Sequence, residues 1–404
     1  MRFIIVIPTL NRADVLHWSV ESVLEQRGDH EFEIIVSNNC SEDHTKEVVN
    51  GFGDPRIKYI EPKERLSMSK HWEFVSDYID VDDTIVMYLG DDDILSPSAF
   101  EIVGDLFRNH DIDAVTSINN YYWTTDCADK RAGLLNQPRI DGYARVLESK
   151  KSLSLVAAYP DEWIILPKLS RGFVRGALLP RLKAKGPLFN IASPDIYTNV
   201  SLAALGIRYC QVAYPLSLGV ATPTSTGLHA KMVRPSSIGT EFLDTAERDF
   251  QHNYYIKSVT FQVLDCLEEI QTSHNIDLDI NYKRFYKAAL AEMWYRDVNS
   301  AMASLKKVSD HSELTIYRDF VFQKIKRASR TVIKNTPFIG NVARRLKEQL
   351  DVARGFKEPL AGDNKSFRFF GDLKKQGIVD PKACLQFIEE NLDFKGIRSD
   401  RKLL

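Results

Sequence analysis

The chain has 404 residues, of which 44% are hydrophobic and 27% are charged, and 53 Lys and Arg against 55 Asp and Glu leave a net charge of -2. This composition is typical of a globular protein of two or three domains, and it excludes collagenous, disordered and disulfide-scaffold classes. Because the net charge is close to zero, nucleic acid or anionic lipid would have to bind at a local patch.

The five cysteines are scattered and odd in number, and no two of them form a Cys-x-x-Cys pair. This pattern argues against a structural zinc site and a disulfide framework, and it favours a reducing cytoplasm. The apolar run from Phe3 to Ile7 ends at Pro8 and is shorter than the core of a signal peptide. No apolar stretch reaches the roughly 18 residues that a bilayer span requires. We therefore expect a cytoplasmic protein, either free or peripheral at the inner face of the cell membrane.

The first hundred residues alternate between strand-like and helix-like segments. Four short apolar or β-branched runs predict buried strands, at Phe3–Ile7, Phe32–Ser37, Ile57–Glu61 and Thr84–Leu89. Apolar stripes at helical spacing follow each of them. This alternation predicts an α/β fold with a mostly parallel sheet, whose ligand should lie at the carboxyl ends of the strands.

Beyond this region the pattern changes twice. Pro and Gly punctuate residues 121–219, as is typical of functional loops, and helical periodicity dominates from residue 236 onward. We predict one domain at 1–235, with a regular first half at about 1–120 and an irregular second half at about 121–235. Residues 236–404 are predicted to form a helical C-terminal extension that associates with a membrane or a partner.

Polar residues follow the first two predicted strands. Pro8 ends the first strand and leads through Thr9 and Asn11 into a helix, and the second strand runs into a polar segment from Ser37 to Asp43. Side chains of this kind suit the edge of a base or a ribose, but they also favour ordinary turns and helix caps. Neither segment alone therefore predicts a binding site.

Three adjacent carboxylates, Asp91, Asp92 and Asp93, follow the fourth predicted strand. Adjacent carboxylates raise one another's pKa unless a cation is present. A hard divalent ion shared with a substrate diphosphate would relieve this repulsion. The alternative is an exposed acidic turn, since Asp is also favoured at the N-terminus of a helix.

Together these segments resemble the nucleotide-sugar-binding half of a family 2 glycosyltransferase with the GT-A fold, over about residues 1–230. They agree with that family in order and spacing, at Ile7–Arg12, Val36–Asp43 and Leu89–Pro97. The resemblance implies a GT-A type, Rossmann-like sheet, with the nucleotide-sugar half at about 1–120 and the acceptor half at about 121–235. It implies an inverting transfer that depends on a divalent metal, Mn²⁺ or Mg²⁺. It also implies a nucleotide-sugar donor, which we expect to be a UDP-sugar, and an acceptor hydroxyl on a cell-surface glycan, a polysaccharide or a lipid-linked glycan.

Carried over position by position, the resemblance implies roles for the residues at the strand ends. Pro8, Thr9 and Asn11 would border the nucleotide. Asn39 would approach the base, and Asp91 would lie near the ribose. The family commonly has a carboxylate where this chain has Asn39 and the Asn before it.

The resemblance also implies a metal site and a phosphate clamp. Asp92 and Asp93 would bind the metal, with His229 as a further ligand. The family's Asp-x-Asp usually begins one residue before Asp91, so the register of the metal ligands stays open. A basic residue near Lys70 usually faces the diphosphate, and Arg65 is a second such cation, although cations are also common on the surface at helix starts.

An inverting transfer needs a general base that takes the proton from the acceptor hydroxyl. Asp195 follows Pro194 at the start of a predicted helix, and the family has an acid at this position. Asp161 and Glu162 are the alternative carboxylates, and Asp195 itself could serve only as a helix N-cap. We favour Asp195 as the catalytic base.

Two other functions stay open. A nucleotidyltransferase would also use a nucleotide, a metal and an α/β sheet, but it needs a phosphate loop rich in Gly and Lys, which the segment from Pro8 to Arg12 lacks. A non-catalytic nucleotide-sugar-binding or assembly protein would fit the Asn38-Asn39 departure from the family pattern. Nucleic acid is not an expected partner.

The segment from Val321 to Leu350 carries eight basic residues and one acid. Apolar residues at helical spacing within it indicate a basic amphipathic helix, and such helices can lie in a membrane interface. Three interpretations stay open: packing on the transferase domain, formation of a homo-oligomer, and peripheral contact with the membrane.

Overall fold

A computed structural model describes residues 1–127, 131–137, 144–226, 237–250, 253–292, 298–335, 369–372 and 380–391. Its strands are β1 (Arg2–Thr9), β2 (Phe32–Asn38), β3 (Ile57–Ile60), β4 (Thr84–Tyr88), β5 (Ile94–Leu95), β6 (Ala114–Ser117), β7 (Tyr121–Trp123), β8 (Leu134–Gln137), β9 (Ala144–Glu148), β10 (Gly172–Arg175), β11 (Arg208–Val212), β12 (Ser217–Ala221) and β13 (Phe369–Asp372).

The α-helices are α1 (Ala13–Leu24), α2 (Thr45–Gly51), α3 (Met68–Ser76), α4 (Ala99–Asn109), α5 (Ser149–Ala158), α6 (Leu178–Lys183), α7 (Pro194–Ala204), α8 (Ser237–Asp249), α9 (Val259–Ser273), α10 (Tyr282–Glu292), α11 (Val298–Lys307), α12 (Glu313–Asn335) and α13 (Pro381–Asn391). A 3₁₀ helix spans Pro160–Ile165.

The larger sheet has eight strands in the order β3-β2-β1-β4-β10-β6-β11-β9. Strands β3, β2, β1 and β4 are parallel, and β10 runs antiparallel to both of its neighbours. Residues Phe3–Ile7 of β1 are buried on both faces of the sheet, as apolar central strands of parallel sheets are. The predicted α/β class with a mostly parallel sheet is confirmed.

The smaller sheet has five strands in the order β13-β8-β7-β12-β5. Strand β13 comes from the C-terminal region and pairs antiparallel with β8. Helix α13 follows it and packs Leu385 and Ile388 against Tyr122 and Leu135. The other described elements after residue 236 are helices, as predicted, but the sequence pattern did not predict that a strand would return to the N-terminal half.

The helices α9 to α12 pack on the N-terminal half through a large hydrophobic cluster. Val200 of α7 belongs to this cluster together with Phe261, Phe285 and Ile316 of the C-terminal helices. Helix α7 is thus held from outside the sheet, and its first turn carries Asp195. In the described part of the chain, no helix combines the length and the apolar character that crossing a bilayer requires.

Candidate active site

The acidic run lies where β1 and β4 end side by side. Val6 of β1 is paired with Tyr88 at the end of β4, and the next amide, that of Leu89, donates to the Val6 carbonyl at 2.8 Å. The chain then turns into the three aspartates, and Asp91 and Asp92 are buried. The predicted acidic turn is therefore an internal feature of the sheet edge and is not a solvated loop.

Arg12 neutralises much of this acidic run. Its Nη1 lies 2.6 Å from Asp91 Oδ1 and 3.2 Å from Asp92 Oδ2. Its Nη2 donates to the Thr224 carbonyl at 2.8 Å and to Thr226 Oγ1 at 3.0 Å. Burial lowers the pKa of Arg12, but the neighbouring Asp91 and Asp92 outweigh it and hold the pKa above its ordinary value. Arg12 is therefore a permanent cation that joins the acidic run to the loop after β12.

Strand β12 and the loop that follows it donate hydrogen bonds to Asp92 and Asp93. Ser225 Oγ donates to Asp92 Oδ2 at 2.6 Å, and the amide of Val220 in β12 donates to Asp93 Oδ1 at 3.0 Å. Arg171 Nε lies 3.7 Å from Asp93 Oδ2. Burial raises the pKa of Asp93 to about 6, against the opposing effect of Arg171. Two guanidinium groups thus face three carboxylates.

Gly90 leaves space for the last aspartate to fold back. A Cβ atom at Gly90 would lie 2.8 Å from Asp93 Oδ2, which is closer than real Cβ contacts. An aspartate at position 90 would therefore push the Asp93 carboxylate away. This gives a physical reason for the departure from Asp-x-Asp at this position.

The loops that follow β1 and β2 are hydrogen-bonded to each other. Asn11 has a left-handed φ of 52°; its amide donates to Ser41 Oγ at 2.8 Å, and its Oδ1 accepts from the Glu42 amide at 2.8 Å. Pro8 and Thr9 are the last residues of β1, in register with the end of β2. The structure therefore brings the three predicted β1 residues next to the β2 turn.

Asn39 is engaged with the segment that leads into α3. Its Nδ2 donates to the Leu66 carbonyl at 2.8 Å, and its Oδ1 accepts from the Leu66 amide at 3.0 Å. Asn38 likewise donates to the Tyr59 hydroxyl at 2.9 Å. To hydrogen-bond a base, the Asn39 side chain would have to break its two bonds to the Leu66 backbone. In this structure the side chain stabilises the segment that leads into α3.

The two predicted phosphate-binding cations contact helix α8. Arg65 Nη2 lies 2.5 Å from Glu241 Oε1, and Lys70 Nζ lies 3.3 Å from Asp249 Oδ2. Helix α8 belongs to the C-terminal region, so Arg65 links the loop before α3, and Lys70 links α3 itself, to that region. In this arrangement their charges are compensated by carboxylates of the same chain.

Asp195 lies in the first turn of α7, half-buried, beside a buried lysine. Lys168 is 6% exposed, and its Nζ donates to Asn119 Oδ1 at 3.0 Å. Burial, with Arg171 nearby, lowers the pKa of Lys168 to about 7, while the negative charge of Asp195 opposes that shift. Arg171 therefore acts electrostatically on Lys168 and also faces Asp93, which connects the surroundings of Asp195 to the acidic run.

The alternative carboxylates lie elsewhere. Asp161 and Glu162 are in the 3₁₀ helix, which packs against α9 and α10. Asp161 is exposed to solvent. The structure thus associates Asp195, and not Asp161, with the charged groups around the acidic run.

Comparison with known proteins finds a family match in the N-terminal part of the chain. Residues 4–142 match the model of a family described as Glycosyl transferase family 2. Residues 4–142 are therefore similar to a glycosyltransferase family 2 domain. This match confirms the resemblance that the three sequence segments indicated, and it includes both β1 and the acidic run.

Two solved structures show a distant similarity to the chain. TarS residues 1–349 from S. aureus, in complex with UDP-GlcNAc, is 14% identical, with a TM-score of 0.48 over 81% of this chain and 92% of that one. The mannosyltransferase PcManGT from Pyrobaculum calidifontis, in complex with GDP-Man and Mn²⁺, is 14% identical, with a TM-score of 0.43 over 87% of this chain and 86% of that one. No curated protein sequence matches the chain.

The carboxylates of the acidic run supply some, but not all, of the ligands that a divalent metal needs. Carboxylate oxygens are the ligands that Mg²⁺ and Mn²⁺ prefer. Among the residues that the structure describes, no group of three or more His, Cys, Asp or Glu is arranged to hold a metal ion. Among the described residues, Asp92 and Asp93 would therefore supply only part of a coordination sphere. The predicted third ligand, His229, lies outside the described residues.

Sequence reasoning did not assign roles to Arg12, Lys168 or Arg171. Arg12 was visible as the last residue of the opening motif, directly after Asn11. Lys168 and Arg171 lie in an irregular stretch with no motif, and their importance follows from burial and from partners far away in the sequence. The position of Arg12 inside the opening motif was thus the signal from which its role near the acidic run could have been predicted.

Proposed function

We propose that the protein is a metal-dependent, inverting glycosyltransferase that transfers a sugar from a nucleotide-sugar, a UDP-sugar in this proposal, to an acceptor hydroxyl. The acceptor belongs to a cell-surface glycan, a polysaccharide or a lipid-linked glycan. The observation that supports this best is the buried acidic run at the adjoining ends of β1 and β4, inside the segment that matches family 2. In parallel α/β sheets, ligands bind at this edge.

The donor binds with its nucleotide along the ends of β1 and β2 in this proposal. Pro8, Thr9 and Asn11 border it, and Asp91 lies near the ribose. Asp92 and Asp93 would hold Mn²⁺ or Mg²⁺, which would supply positive charge to stabilise the leaving nucleoside diphosphate. Arg12 and Arg171 offset part of the carboxylate charge and oppose the rise that burial causes in the pKa of Asp91 and Asp93.

Asp195 acts as the general base. It accepts the proton of the acceptor hydroxyl while that oxygen attacks the anomeric carbon on the face opposite the leaving group. Lys168 interacts electrostatically with Asp195, and because its pKa is lowered to about 7 it can release or hold a proton near this carboxylate at neutral pH. Helix α7 and the hydrophobic cluster behind it fix the position of this carboxylate.

The test compares Asp195→Asn with the matched control Asp161→Asn. Donor affinity is measured by calorimetry with the metal present, and transfer is measured with a panel of nucleotide sugars and acceptors. We expect Asp195→Asn to bind the donor as the wild type does and to lose transfer by about 10²-fold or more, with Asp161→Asn unchanged. Transfer by Asp195→Asn at the wild-type rate would show that another group is the base.

A second measurement addresses the donor and the metal. We expect Asp92→Asn to weaken metal-dependent binding of the nucleotide, and equal affinity with and without metal would contradict this role. Hydrolysis of a nucleotide sugar without acceptor separates an enzyme from a non-catalytic binding protein, because a binding protein gives no hydrolysis. Release of pyrophosphate would instead identify a nucleotidyltransferase.

A further inference from the structure

Helix α12 exposes a face of large apolar side chains. Leu314, Val321, Phe322 and Ile325 are between 51% and 80% exposed, and they are the four most exposed large hydrophobic residues in the part of the chain that the structure describes. At about 100° per residue, their helical positions fall within an arc of about 100°. We call these four residues the α12 apolar face.

The opposite side of the same helix is anchored in the protein. Ile316 and Phe320 are buried in the cluster shared with α7 and α9, and the Tyr286 hydroxyl donates to Asp319 Oδ2 at 3.1 Å. Their helical positions lie roughly opposite the α12 apolar face. Helix α12 is therefore apolar on two sides. One side packs in the hydrophobic cluster, and the α12 apolar face is exposed to solvent.

Charge along the C-terminal part of this face and beyond it is positive, whereas Glu313 and Asp319 lie nearer its N-terminal end. From Phe320 to Lys347 the sequence contains eight basic residues and no acidic residue. Helical positions 324 and 326, both lysine, flank the arc of the α12 apolar face on its two sides. Apolar residues flanked by lysines are the pattern of helices that lie in a membrane interface. Residues 336–350 of this basic segment lie outside the described residues.

We propose that the α12 apolar face binds the surface of an anionic lipid bilayer. Phe322 and Ile325 enter the headgroup region, and the neighbouring cations attract anionic headgroups. A second copy of the chain fits less well, because a two-fold interface would bring the same basic segment of both copies together without acidic partners. This proposal goes beyond the transfer reaction and does not depend on it.

The test uses the full-length protein in a vesicle co-sedimentation experiment. Vesicles of phosphatidylcholine mixed with phosphatidylglycerol are compared with vesicles of phosphatidylcholine alone. We expect clear binding to the mixed vesicles only, and weaker binding as salt is added. Phe322→Gln/Ile325→Gln should weaken the partition at least about tenfold, and Lys324→Glu/Lys326→Glu should abolish the preference for phosphatidylglycerol.

A matched control removes two exposed aromatic side chains elsewhere. Tyr78 and Tyr159 are 40% and 46% exposed and lie outside α12, so Tyr78→Gln/Tyr159→Gln should bind vesicles as the wild type does. Equal binding by Phe322→Gln/Ile325→Gln and by this control would overturn the proposal. So would a change from dimer to monomer in light scattering with vesicle binding unaltered, because the face would then bind a second copy.

Discussion

Arg12 and Asp91 form a buried ion pair, with 2.6 Å between Arg12 Nη1 and Asp91 Oδ1. The same guanidinium reaches Asp92 and, through its other terminal nitrogen, the Thr224 carbonyl. One side chain at the start of α1 therefore fixes both the acidic run after β4 and the loop after β12. The candidate site is assembled from three parts of the chain that only the fold brings together.

Replacing Arg12 by Met should be strongly destabilising. It leaves two buried carboxylates without their main counter-charge, and the loss of one partner of a buried ion pair costs about 3–5 kcal/mol. Urea unfolding measures this loss. Arg2→Met is the control, because its pair with Asp80 is largely exposed and should contribute about 1 kcal/mol or less. Equal midpoints for the two variants would show that Arg12 has no special role.

Removing the acidic partners of Arg65 and Lys70 should tighten nucleotide binding. Glu241 and Asp249 compensate these cations in the structure, so Glu241→Gln/Asp249→Asn frees both to pair with a diphosphate. We expect the affinity for UDP to rise about threefold to tenfold, measured by calorimetry at low salt. Asp244→Asn, on the exposed side of the same helix, should leave the affinity unaltered. Weaker binding in the double variant would assign Arg65 and Lys70 to helix packing instead.

Local pattern was sufficient to predict the N-terminal half of the large sheet. Each of the four predicted strands overlaps β1 to β4 with ends that differ by at most two residues, because buried parallel strands are continuous apolar runs. The polar turns after β1, β2 and β4 were also predicted as neighbours. Sheet topology makes this possible, since parallel strands present their carboxyl ends at one edge.

The remaining features depend on contacts between distant residues. Arg12 bonds to Thr224, which is 212 positions away, and no local pattern encodes such a pair. The resemblance implied that the side-chain amide of Asn39 approaches the base. In the structure, its Nδ2 donates to the Leu66 carbonyl and its Oδ1 accepts from the Leu66 amide. Strand β13 has only four residues and gains its stability from pairing with β8. Periodicity cannot predict features of this kind because their stability comes from the partner.

His71 should make the protein less stable in mild acid. It is buried, its Nε2 lies 2.8 Å from Ser37 Oγ, and burial lowers its pKa to about 4. In the unfolded chain its pKa is about 6.5. Between these values the unfolded state takes up a proton that the native state does not, so stability is fully present above pH of about 6.5 and is lost as the pH falls towards 4. The expected loss is about 3 kcal/mol.

Urea unfolding at a series of pH values between 7 and 4 tests this contribution of His71. His71→Gln should flatten the pH dependence in that window, because Gln carries no titrating group. His44 is mostly exposed, and His44→Gln should keep the wild-type slope. If His71→Gln also keeps that slope, other groups cause the acid sensitivity.

Leu385 tests whether α13 stabilises the sheet that supports the acidic run. It is 4% exposed and packs in the cluster that contains Tyr122 and Leu218. Leu218 lies in β12, two residues before the amide that donates to Asp93. Leu385→Ala should therefore cost about 2–5 kcal/mol, and donor binding should weaken at temperatures near the lowered midpoint. Trp18 packs against the same cluster, so its fluorescence reports the transition.

The matched control is Lys382→Ala on the same helix. Lys382 pairs at the surface with Glu21 of α1 and with Glu25 directly after that helix, and such pairs contribute about 1 kcal/mol or less. A large effect of Leu385→Ala with a small effect of Lys382→Ala would place the stabilisation in the apolar contact. Wild-type stability in Leu385→Ala would mean that α13 does not contribute to the core of the smaller sheet. Support of the acidic run from this sheet would then come from β5, β7 and β12 without α13.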